Sequence, residues 1–191
     1  MQAHVVTVVA FDRISAFHLS VPCVVFGDTH PGVPPFDFRV CASEDGPLTT
    51  TAGFDVAVRH GLEAVDEADT VIMPSWRDPN ERPPQTLLDA LVAAHRRGAR
   101  VVGLCLGAYV LAEAGLLDGR KASTHWAYAL DFARRYPNVQ VNADVLYIDD
   151  RIVDDFAERD DEPGDDHRVE RAAAIAEDHC GGEQRERDGH Q

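Results

Sequence analysis

A chain of 191 residues with 45% hydrophobic content can fold as one globular domain with a sizeable core. Its net charge of −15 and its single lysine, Lys121, exclude the clustered basic surface that phosphate contacts need, so no direct nucleic-acid binding is expected. The amino terminus has no basic region ahead of its apolar run, and no stretch reaches the roughly 18 apolar residues of a membrane span, so a cytoplasmic protein without membrane contact is expected.

Four cysteines, Cys23, Cys41, Cys105 and Cys180, show neither a Cys-x-x-Cys pair nor the spacing of a disulfide scaffold. A reducing compartment follows, with no metal site and no cofactor.

In chain order, His4 to Phe11 (HVVTVVAF) reads as a buried strand and Leu19 to Gly27 as an apolar helix with Pro22 in its first turn. Phe36 to Cys41 is a second strand, Leu48 to Val58 a short antiparallel excursion broken by Gly53, and Thr70 to Met73 (TVIM) a third buried strand. Gln85 to Arg97 is amphipathic and stops at Gly98. Ala99 to Leu104 (ARVVGL) is a strand, followed by a helix over AYVLAEAGLL, and Trp126 to Arg135 is a further helix. Gln140 to Val153 carries extended apolar runs with a turn at Asp149-Asp150. This alternation predicts a doubly wound parallel α/β sheet sandwiched by helices, within a domain spanning residues 1–153.

Composition changes after Val153. Residues 149–191 hold sixteen acids and six arginines, a balance of −10, and residues 154–191 are predicted to be a disordered acidic tail.

The most informative segment is Gly103-Leu104-Cys105-Leu106-Gly107, which sets a cysteine between two glycines where a strand meets a helix. This is the pattern of a nucleophile elbow, in which small neighbours permit a strained turn. The turn aims the first helical amides, Leu106 foremost, at the Cys105 sulfur, and a stabilised thiolate is expected. Sites in parallel sheets form beyond the carboxyl ends of the strands. That gathers Phe11 to His18, Pro74 to Pro79 and Ala122 to Trp126 around Cys105, with His125 as the partner that takes the thiol proton and Ser75 or Trp76 supplying a further oxyanion amide.

GLCLGAYVLAEAGLLDGR, the step Ser123 to Trp126 (STHW), Ala16 to Gly27 (AFHLSVPCVVFG) and Pro74 to Pro79 (PSWRDP) occur in an order that resembles the ThiJ/PfpI, class I glutamine amidotransferase-like, domain. The resemblance is to the branch found at the amino terminus of GlxA-type AraC/XylS transcriptional regulators, and it covers roughly residues 4–153. It implies a flavodoxin-like sheet, a homodimer, Cys105 as the reactive cysteine and His125 at the family's histidine position.

Three departures stand out. His18 occupies the position where enzymes of the family place an acid, Ser75 replaces a glycine common in regulators, and the family's closing segment does not follow Val153. The last leaves an incomplete carboxyl-terminal closing segment, as a change of reading frame would produce.

With the acid absent, the favoured expectation is a ligand-sensing domain without its helix-turn-helix half, binding a small metabolite through Ser75, Trp76, Gly107 and Trp126 near Cys105. The alternatives are a Cys105-dependent hydrolase or hydratase of a small amide, isonitrile or carbonyl compound, and a protein whose Cys105 is oxidised under stress.

Overall fold

The computed structural model describes residues 3–28 and 31–149. The predicted acidic tail, Cys180 and the Asp149-Asp150 turn's second residue lie outside the described residues.

Strand β1 (Val5–Ala10) is buried along its whole length, as its continuous apolar sequence demands of a strand covered on both faces. Its one polar side chain, Thr7, donates its hydroxyl to the Ala64 carbonyl at 3.2 Å. Helix α1 (Ala16–Pro22) follows, then β2 (Asp37–Ala42), the short pair β3 (Leu48–Thr49) and β4 (Asp55–Val56), and β5 (Thr70–Met73). After these come α2 (Gln85–Arg96), β6 (Arg100–Gly103), α3 (Gly107–Glu113), β7 (Lys121–Ala122), α4 (Ala129–Arg135) and β8 (Gln140–Val141).

Four parallel strands form the central sheet in the order β2-β1-β5-β6, flanked by helices, which is the predicted flavodoxin-like α/β arrangement. Buried β1 and β5 occupy the middle, while the edge strands β2 and β6 are only partly covered. Helix α2 buries Leu87, Leu88, Leu91 and Ala94, the stripe that its periodicity predicts. It ends at Gly98, whose φ of 94° lets its amide and that of Ala99 turn back to the carbonyls of His95 and Ala94. The β3–β4 pair is antiparallel, as expected.

Two expectations are corrected. The helix read over Leu19 to Gly27 begins at Ala16, and Pro22 closes it instead of opening it. Proline cannot donate the i→i−4 bond, and the chain widens into a π-type turn over Cys23–Gly27. The extended run after Gln140 also shortens. Strand β8 is two residues long and pairs in parallel with β7, whereas 142–149 form no strand. Val145, Leu146 and Tyr147 stand exposed there, because no described strand pairs with them and no described layer covers them.

Candidate functional site at the carboxyl ends of the strands

Cys105 has φ of 51°, one of two non-glycine residues in the left-handed region among those described. Such a conformation costs about 1–3 kcal/mol and persists only where its surroundings force it. The two glycines supply that force. A Cβ on Gly107 would lie 2.2 Å from the Met73 carbonyl oxygen, so α3 starts against the end of β5 more closely than any side chain permits. A Cβ on Gly103 would meet Leu111 Cδ2 at 3.0 Å and the Ala108 amide nitrogen at 3.1 Å. Between them, the Leu104 amide donates to Met73 O at 2.9 Å and the Gly107 amide to Leu104 O at 2.7 Å.

Thr124, which sequence reasoning passed over, fastens the turn from the other side by donating its hydroxyl to the Cys105 carbonyl at 3.0 Å. Replacing it with valine keeps the shape and removes the donor. Thr124→Val is expected to lower stability by about 1 kcal/mol in urea unfolding.

The Cys105 sulfur is half-buried. Burial pushes its pKa up, and the Leu106 amide and the Ser75 hydroxyl, both hydrogen-bonding to the sulfur, offset this only in part. This direction runs against the expected thiolate, because desolvation outweighs two donors. Ser75 is 5% exposed at the end of β5 and acts through its side chain. A glycine there has no such donor.

His125 stands at the start of a turn. Its Nδ1 accepts from the Ala127 amide at 3.2 Å, capping the 3₁₀ turn Trp126–Tyr128, and its ring stacks on Trp126 at 5.5 Å and 27°. The hydrogen bonds to the Cys105 sulfur come from Leu106 and Ser75 instead.

His18 projects from α1, with a buried Nδ1 that has no hydrogen-bond partner among the described residues. Burial first and the nearby charge of His125 second lower its pKa. Since the folded state resists a proton that the unfolded chain accepts, stability is full above about pH 6.5 and falls as the pH drops from there toward the depressed folded value. His18→Gln should flatten that acid slope in stability measurements between pH 7 and 5.

Two of the expected ligand contacts also pack within the fold. Gly107 is buried against β5 for the reason given above. Trp76 is 2% exposed, packs on Phe11 at 5.0 Å, and donates its indole N–H to the Glu81 carbonyl at 2.8 Å. Trp126 is 80% exposed and free to meet a ligand.

Beside Trp76 lies a charge cluster that no sequence motif marked. Arg77, its side chain 9% exposed, binds Glu44 and Glu81, donates to the Asp12 carbonyl at 3.3 Å, and lies 4.7 Å over the Trp76 ring. Burial works against its charge, but the two carboxylates outweigh it and raise its pKa. The ion pair in turn holds Glu81 below the usual carboxylate range. Asp12 and Glu44 follow two other strands and reach Arg77 only through the sheet order, whereas Glu81 lies four residues on in the same loop. A cleft of about 230 Å³ is lined by Trp76, Glu81, Tyr109, Glu113, Arg135 and Tyr136.

Residues 4–157 match the DJ-1/PfpI family. An uncharacterised protein in the cpoL 5′ region of Streptomyces lividans is 30% identical over 136 residues, which make up 71% of this chain and 96% of that protein. The HTH-type transcriptional regulator CdhR of Pseudomonas aeruginosa is 31% identical over 114 residues, or 60% of this chain and 34% of the regulator. The chain thus spans about a third of that regulator's length. The crystal structure of an AraC family transcriptional regulator from Pseudomonas putida superposes with a TM-score of 0.59 at 20% identity, covering 73% of this chain and 76% of the other. From the strained cysteine between its paired glycines to the family match over most of its length, the chain belongs to the DJ-1/PfpI family.

Proposed function

We propose that this domain senses a small metabolite for a transcriptional regulator and does not turn its ligand over. Cys105 sits on a nucleophile-elbow turn, yet the observation that carries the reading is the state of its sulfur. Burial raises its pKa, and the two groups that offset this, Leu106 and Ser75, are donors, with no base between them. The resemblance to regulators points the same way. The ligand contacts are Cys105, Ser75, His18, His125 and the exposed Trp126.

DNA contact is not assigned to this domain, whose arginines Arg39, Arg77, Arg82 and Arg135 are held by carboxylates. Among the described residues no helix is long and apolar enough to cross a membrane, and the reading places the protein in the cytoplasm. A homodimer belongs to the proposal, since Phe17 on α1, Val24 just after it and Leu130 on α4 expose apolar surface.

The test pairs thermal-shift screening of a metabolite collection with turnover assays on small amides and isonitriles. A ligand that raises the melting temperature of the wild type and loses that effect in Trp126→Ala supports sensing. Cys105-dependent turnover overturns it in favour of the enzyme reading.

A further inference from the structure

The Cys105 carbonyl lies just outside the hydrogen-bond ladder of α3. Leu106 caps that helix, so the carbonyl before it precedes the first turn, and the Ala108 amide reaches it only at 3.5 Å, the limit of a hydrogen bond. The Thr124 hydroxyl is the closer partner, at 3.0 Å.

That carbonyl and the Leu106 amide belong to one peptide unit. The unit is planar and trans, so its C=O and N–H point to opposite sides, and a partner that fixes one fixes the other. On the far side, the Leu106 amide hydrogen-bonds to the Cys105 sulfur. A donor on the carbonyl also polarises the unit, which strengthens the N–H as a donor in turn.

Thr124 is itself braced from both directions. Just before it, buried Ala122 accepts at its carbonyl from the Asn142 amide at 2.9 Å, and just after it, His125 caps the turn Trp126–Tyr128. The branched side chain restricts χ1, which gives the hydroxyl a set direction.

We infer that Thr124 is a positioning residue that aims the Leu106 amide at the Cys105 sulfur and at negative charge forming beside it. It acts through the peptide plane. Sensing and turnover alike need that donor aimed, so the role of Thr124 stands apart from the choice between them.

The measurement is alkylation of Cys105 by iodoacetamide in the full chain, resolved by peptide mass spectrometry from about pH 5.5 to 10.5. Thr124→Val is expected to raise the midpoint by about 0.5 pH unit and to slow labelling at pH 7 about threefold, with the plateau rate at high pH unchanged. Thr124→Ser keeps a hydroxyl and should stay within about 0.2 pH unit of wild type. Thr124→Ala removes the hydroxyl without placing a methyl where it stood, and should match the valine variant.

A merely structural loss has the opposite sign. If the turn only loosens, water reaches the sulfur, its midpoint falls and the plateau rate rises. A midpoint that falls or stays within about 0.2 pH unit of wild type in Thr124→Val and Thr124→Ala overturns the positioning role, as does Thr124→Ser shifting as far as Thr124→Val. Each of these results leaves the sensing reading to its own thermal-shift and turnover test, so the two failures are told apart.

Discussion

Gly107→Ala is expected to lower the unfolding free energy by about 3 kcal/mol or more, the upper end for overpacking. The added methyl meets the Met73 carbonyl oxygen at 2.2 Å, and that neighbour is backbone in a buried central strand, which cannot rotate away. Gly107 is not in the left-handed region, so the loss reports the contact alone. For a domain of this size the melting temperature should fall by about 6–12 °C. Gly103→Ala should cost less, because one of its three close contacts, Leu111 Cδ2, belongs to a side chain that can yield. A Gly107→Ala variant within about 0.5 kcal/mol of wild type would show that α3 is not seated on the end of β5.

Arg77→Ala carries the second large effect, a destabilisation of about 2–4 kcal/mol. The guanidinium is almost fully buried, whereas Glu44 and Glu81 are 26% and 34% exposed, so water screens part of what the carboxylates lose. Removing the arginine takes this partner from Glu44, leaves Glu81 with Arg13 alone, and takes the cation from the Trp76 ring. Adding Glu44→Gln and Glu81→Gln to Arg77→Ala should recover part of the loss, since the uncompensated charges go with them. Urea unfolding at low and high salt measures both. No recovery in the combined variant would mean that Arg77 stabilises through packing alone.

The sheet was legible in the sequence because its central strands are buried on both faces and read as unbroken apolar runs, as in VVTVVA and TVIM. The Cys105 turn was legible too, since only glycine admits the approach of α3 to β5. Chemistry at the sulfur was harder to read, because it depends on how deeply the sulfur is buried. The motif shows the Leu106 amide but not the desolvation that outweighs it. Trp76 was assigned to ligand for a similar reason, since a tryptophan in a loop after a strand gives no sign that its ring packs on Phe11 from another strand's end. Arg77 is visible in PSWRDP and Glu81 lies four residues on, but its partner Glu44 follows another strand and is set by topology. In the final segment, the residues after Gln140 read as extended apolar runs, yet a strand also needs a neighbour to pair with.

The central claim is that the elbow cysteine is held as a thiol at neutral pH, and the apparent pKa of Cys105 tests it most directly. Its rate of alkylation by iodoacetamide, resolved by peptide mass spectrometry across pH 5.5 to 10.5, should rise with a midpoint above the free-thiol value of about 8.5. Ser75→Ala, by removing one donor to the sulfur, should move that midpoint higher still. A midpoint below about 7.5 would mean that a thiolate is present at neutral pH, and the sensing account would give way to nucleophilic catalysis at Cys105.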